Sequence, residues 1–152
     1  MTSFSSSGLF DEKTFYSAFI NDLENCKEEV YIESPYITTQ RADMLIPVFK
    51  RLLSKRVKIC IMTRDPKEHG KTMEEQSENA VSQFERMGVQ VLLCSGNHHR
   101  KLAILDRKIL WEGSLNILSQ THSREIMRKI ENEEITMEMF IFLKLYRIVF
   151  NK

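Results

Sequence analysis

The stretch NHHRKLAILDRKILWEGSLN, residues 97–116, sets two adjacent histidines, two lysines, one aspartate and a Gly-Ser-Leu-Asn run among apolar residues. Side chains of an extended chain alternate with period two. His99 and Lys101 therefore leave the same side, a nucleophile or base beside a fixed positive charge. Asp106-Arg107-Lys108 reads as a tight charged turn between two strands, "RKLAILD" and "ILWEG". The hairpin it closes brings Ser114 and Asn116, which follow Gly113, back beside His99. Both side chains can donate hydrogen bonds, and free N–H groups where a helix or turn begins favour an anion. Four such groups at one end of a sheet suit attack on a phosphate and stabilisation of its charge. His98 points to the opposite side and reads as a loop residue or a substrate contact. Cys94, His98 and His99 match no zinc-ligand spacing, so no metal site is expected.

These residues need elements to hold them. Asp11 opens a helical pattern with Phe15, Ala18, Phe19 and Leu23. "EEVYIES" (28–34) alternates as a strand and stops at Ser34-Pro35, because proline cannot donate to a ladder. A second helical pattern runs from Arg41 to Lys55, with Pro47 expected to kink it or mark its first turn. "VKICIMT" (57–63) and "VQVLLCS" (89–95) read as strands buried on both faces. Between them residues 72–87 form a helix that Gly88 terminates. "SREIMRKIE" (123–131) returns a last strand, and "NEEITMEMFIFLKLYRIVF" closes the chain as a helix. Alternating helices and strands predict an α/β fold with right-handed crossovers. The sheet is expected to be mixed and mainly parallel, flanked by helices. Arg64 falls at a strand C-terminus, where α/β sheets place sites, and is a candidate polar contact. Tyr36 stacks on a base or packs. Arg124, Arg128 and Lys129 form either a phosphate-backbone track or a solvated strand face.

The chain has 152 residues, enough for one domain with a sizeable core. The Ser-rich residues 1–10 are expected to be disordered, 11–131 to form the domain, and 132–152 to be a C-terminal helix packing on the domain or on a dimer interface. Net charge is +1, so a nucleic-acid partner has to be held by a local patch rather than by a global field. Cys26, Cys60 and Cys94 are odd in number and widely spaced, as in reduced thiols of the cytoplasm. No leader is visible, and no run approaches the ~20 apolar residues of a spanning helix. "MFIFLKLYRIVF", broken by Lys144 and Arg147, reads as a core or interface helix, with a monotopic membrane contact as the alternative.

Written H-x-K-x4-D-x6-G-S-x-N, residues His99, Lys101, Asp106, Gly113, Ser114 and Asn116 resemble the HKD signature of the phospholipase D superfamily at every position. "IESPYI", "RVKICIMT" and "SREIMRKIE" resemble parts of the phospholipase D-like domains of bacterial nucleases, some fused to helicases. The resemblance spans roughly residues 12–131. It implies that His99 is the nucleophile on phosphorus and forms a phosphohistidine. Lys101 and Asn116 would bind the non-bridging oxygens, and Ser114 would donate a further hydrogen bond. Asp106 would be structural at the turn, and Gly113 would keep a side chain out of the site. Glu125 fits a family glutamate that pairs with the histidine. No cofactor or metal is implied, because histidine and lysine supply what a metal would.

The family reaction uses two such motifs, and this chain carries one. The resemblance therefore implies a homodimer that pairs two copies of His99 about a twofold axis, titrating as a coupled pair. It also implies nucleic acid, DNA foremost, as substrate, with a fused or associated helicase as a further partner. Two alternatives stay open. One is a phospholipase, which predicts an apolar rim for acyl chains. The other is a catalytically silent nucleic-acid-binding module, which predicts binding with a strong salt slope and no turnover.

Overall fold

The computed structural model describes residues 5–147. Seven strands form one sheet: β1 (Ser6–Asp11), β2 (Glu29–Glu33), β3 (Lys58–Arg64), β4 (Gln90–Cys94), β5 (Leu102–Leu105), β6 (Ile109–Gly113) and β7 (Ile126–Glu131). The helices are α1 (Phe15–Glu24), α2 (Thr39–Ser54), α3 (Lys71–Met87) and α4 (Glu133–Phe142). Across the sheet the order is β1-β7-β6-β5-β2-β3-β4.

Only β2, β3 and β4 pair in parallel; every other pairing is antiparallel. The mixed α/β sheet is as expected, but its balance is mainly antiparallel rather than mainly parallel. The cause is the connections. α2 and α3 are crossovers that return the chain for a parallel neighbour. After β4 no helix intervenes, so β5 pairs antiparallel with β2 and the hairpin continues that sense.

The N-terminal expectation also needs correction. Ser6–Asp11, all but its last residue in the segment expected to be disordered, forms an edge strand on β7. Helix α1 starts at Phe15, and the Asp11 carboxylate instead turns the chain by accepting from Lys13 N and Thr14 N. β4 is the opposite edge and only partly buried, not sealed on both faces. Pro47 lies inside α2 on an exposed position. The main-chain bond it cannot make therefore falls on the solvent side, and the helix continues. Gly88 ends α3 in the left-handed region at φ 109°. The expected closing helix ends at Phe142, followed by a 3-10 turn at Leu145–Arg147; its residues 148–152 lie outside the described residues.

Two cores sandwich the sheet. On one face α1, α2 and α3 bury Phe19, Phe49, Phe84 and Trp111. Trp111 donates to Asp22, whose carboxylate also meets Lys129 at 2.9 Å. Lys129 is thus a paired, half-buried group, and Arg128 bonds Ser7 on β1. On the other face α4 covers Tyr31, Ile104 and Leu110 through Phe140, with Met137 and Met139 packed alongside.

Candidate active site

β4 lies at the sheet edge and β5 lies three positions away, beyond β3 and β2. Residues 95–101 must therefore cross the C-terminal ends of β3 and β2. These residues belong to no strand or helix, so His99 and Lys101 precede β5 instead of opening it. Gly96 and Asn97 turn the chain with φ of 90° and 61°. Arg64, at the end of β3, donates to Asn97 Oδ1 at 2.7 Å, to Tyr36 Oη at 3.2 Å and to Glu68 at 2.8 Å. Glu68 accepts from Gly96 N at 2.9 Å. That bond, with Arg64, holds its carboxyl below the usual carboxylate range. Arg64 is thus committed to three acceptors and shapes the crossing loop, where sequence suggested a polar contact to substrate.

His99 is exposed, and its ring meets Tyr36 edge-on at 6.1 Å between centroids. Lys101 Nζ donates to the His99 carbonyl at 2.7 Å. Across the hairpin, the β6–β7 pairing extends to Ser114, whose main-chain N–H donates to Ile126 O at 2.9 Å. Its hydroxyl accepts from Ile126 N at 3.0 Å. Ser114 and then Ser123 hold the Glu125 carboxyl below its ordinary value, with Lys101 adding to the effect. Lys101, Ser114 and Glu125 are therefore one cluster. Asn116 carries a buried Oδ1 with no hydrogen-bond partner among the described residues. Unmet buried acceptors are rare, and a donor on a ligand would satisfy this one.

Two motif residues are structural. Asp106 sits at the far end of the hairpin, where its carboxylate accepts from the main-chain N–H groups of Lys27, Glu28 and Glu29 at 2.8–2.9 Å. A Cβ on Gly113 would meet Ile126 O at 2.1 Å. The backbone of β7, and not a bound substrate, is what excludes a side chain there.

The family model for the cardiolipin synthase, PLD-like domain matches residues 19–141. The chain belongs to the phospholipase D superfamily. No curated protein sequence matches it. Among solved structures, the phospholipase D family member Nuc from Salmonella typhimurium is 14% identical, with TM-score 0.74 and 91% of each chain covered. NucT from Helicobacter pylori is 20% identical, with TM-score 0.68, over 91% of this chain and 93% of that one. Phosphatidylserine synthase from Haemophilus influenzae is 14% identical, with TM-score 0.67, over 97% of this chain and 39% of the synthase. At these identities the likeness is one of fold. Membership in the family supports a phosphodiesterase of the phospholipase D type.

Within this phospholipase D-like site, Glu125 departs from the expected pairing. Its neighbours are Ser114, Ser123 and Lys101, and no hydrogen bond joins it to the His99 ring among the described residues. Two openings flank the cluster. A polar cleft of about 620 Å³ runs from Glu125 past Lys13, His122 and Arg124. On the other side a groove of about 370 Å³ is lined by Arg100, Lys101, Gly113, Met139, Phe142 and Leu143. No group of three or more metal-ligating side chains occurs among the described residues, and no described helix is long and apolar enough to cross a membrane.

Sequence reasoning missed two features. His69 stacks beside Tyr36 at 4.8 Å, and both of its ring nitrogens are out of solvent without a partner. Burial, then Arg64, lowers its pKa, so it is neutral at pH 7. Its local sequence, KEHGKTM, carries no pattern that reveals this. The second feature is Glu33, with 0% exposure at the end of β2. Its carboxylate meets His98 and Arg100, the residues on either side of His99. The alternation of His98 with His99 was visible in sequence; a partner 65 residues away was not.

Proposed function

We propose that the chain is a metal-independent nuclease acting through a phosphohistidine. The observation that carries the reading is the set of polar motif residues at one sheet end: exposed His99 beside Lys101, with Ser114 and the neighbouring Glu125 across the hairpin. A nitrogen of His99 attacks phosphorus, the ester P–O bond breaks, and Lys101 and Asn116 stabilise the charge on the non-bridging oxygens. The leaving oxygen takes its proton from His99 of a second copy in a homodimer. Water then attacks the phosphohistidine and frees His99. Nucleic acid is favoured because the chain carries a single motif and shares its fold over nearly its full length with Nuc and NucT; the cleft beside Glu125 mixes Lys13, His122 and Arg124 with the acidic Asp11 and Glu12 and is not by itself a basic track. A helicase, fused or associated, would deliver such a substrate, and the cytoplasm is its expected compartment.

One observation favours a second reading, a phospholipase. The groove beside Lys101 is walled by Met139, Phe142 and Leu143, which is the apolar rim that an acyl chain requires. The test is cleavage of labelled single- and double-stranded DNA in excess EDTA, with phosphatidylcholine and phosphatidylglycerol vesicles in parallel. DNA cleavage that survives EDTA and falls at least ~10²-fold in His99→Ala and Lys101→Ala is the expected result. Vesicle hydrolysis without DNA cleavage selects the phospholipase. Salt-sensitive DNA binding with no turnover on either substrate selects the silent binding module.

A further inference from the structure

The segment that carries His99 and Lys101 has no ladder of main-chain bonds to fix it, since residues 95–101 lie outside every strand. In an extended segment neighbours leave opposite sides. His98 and Arg100 therefore leave the side away from His99 and Lys101, and both reach one carboxylate. Arg100 donates to Glu33 through Nε at 2.8 Å and Nη2 at 3.2 Å. His98 Nε2 lies 3.0 Å from Glu33 Oε1. Tyr31 completes the set, donating to Glu33 Oε2 at 2.6 Å. Glu33 has 0% exposure and His98 has 8%. The carboxylate thus touches no substrate, yet it grips the chain one residue before and one residue after His99.

We propose that Glu33 is the positioning residue of the reacting pair. By holding both neighbours of His99 it fixes the main chain there and sets where the imidazole and the Lys101 ammonium point. A loop pinned on both sides of the nucleophile does what a strand would have done, at a place where the chain must cross strand ends and cannot pair. The proposal rests on the reading of His99 and Lys101 as the reacting groups.

The experiment pairs kinetics on bis(p-nitrophenyl) phosphate with ¹⁵N relaxation of the backbone. Glu33→Gln keeps the shape and removes the charge. Its kcat is expected to fall by about 10²-fold with KM changed less than about threefold, and Glu33→Asp is expected to recover part of the loss. The order parameters of residues 98–101 are expected to drop below about 0.6, from about 0.85 in a rigid backbone. Glu29→Gln is the control: it removes a carboxylate at the other end of β2, where Glu29 pairs with Arg107, and leaves both readouts unchanged. Should Glu33→Gln fail to fold, Arg100→Ala and His98→Ala each release one flank and carry the same two measurements. Unchanged order parameters overturn the proposal, as does an unchanged kcat in a loosened loop. A wild type inactive on the diester overturns the phosphodiesterase reading instead, and the relaxation data still decide whether Glu33 orders the segment.

Discussion

At Glu33 two opposing effects meet. Burial alone pushes its carboxyl up, and it is the largest single influence. His98, Tyr31 and Arg100 together outweigh it, and the net shift is downward. A carboxylate whose folded pKa lies below its unfolded value stabilises the fold above the unfolded value, about 4.3. That contribution disappears as pH falls through the folded pKa. Wild type is expected to exceed Glu33→Gln by about 3 kcal/mol at neutral pH. The gap in urea denaturation should close below about pH 4. A gap that stays constant down to pH 3 contradicts the assignment of Glu33 as an ionised clamp. Buried Cys26 and Cys60 are held at about 12 by burial, so both remain thiols over this range and add nothing to the profile.

The β5–β6 hairpin shows how one element serves both ends of the sheet. At its turn Asp106 and Arg107 have φ of 53° and 55°, two successive left-handed residues that match the twist of the flanking strands. The Asp106 side chain satisfies three N–H groups ahead of and at the start of β2. At the open end Gly113 lets β6 approach β7, and Ser114 continues that pairing beside Glu125. Asp106→Ala is therefore expected to cost about 3 kcal/mol and lower the thermal midpoint, while turnover well below that midpoint persists, since the turn is remote from His99. Loss of turnover in a protein that is still folded would move Asp106 into the chemistry. The hairpin was legible because its apolar runs and charged turn are adjacent in sequence. β1 was not, because Ser6 and Gly8 are poor strand formers and the strand exists only through pairing with β7, more than a hundred residues away.

For the whole molecule, a single motif per chain means that the proposed reaction needs a second copy. Sedimentation at micromolar concentration should give twice the chain mass. Mixing inactive His99→Ala with wild type should lower activity in proportion to heterodimer formed. A monomer with full activity removes the dimer from the mechanism.

By itself the sequence determined the motif and its local order: His99, Lys101, Asp106, Gly113, Ser114 and Asn116 stand at fixed spacing within twenty residues, and the apolar periods mark most strands and helices around them. These signals are local, so one chain displays them directly. Tertiary structure alone decided the sheet balance, the edge position of β1 and β4, and the route of residues 95–101 across the ends of β3 and β2. It also decided what holds that route: Arg64 on Asn97 and Glu33 on His98 and Arg100. Such pairs join segments far apart in sequence, and a charged residue at the end of an apolar strand reads the same whether it faces water or clamps the loop that carries His99. Only the folded chain shows which.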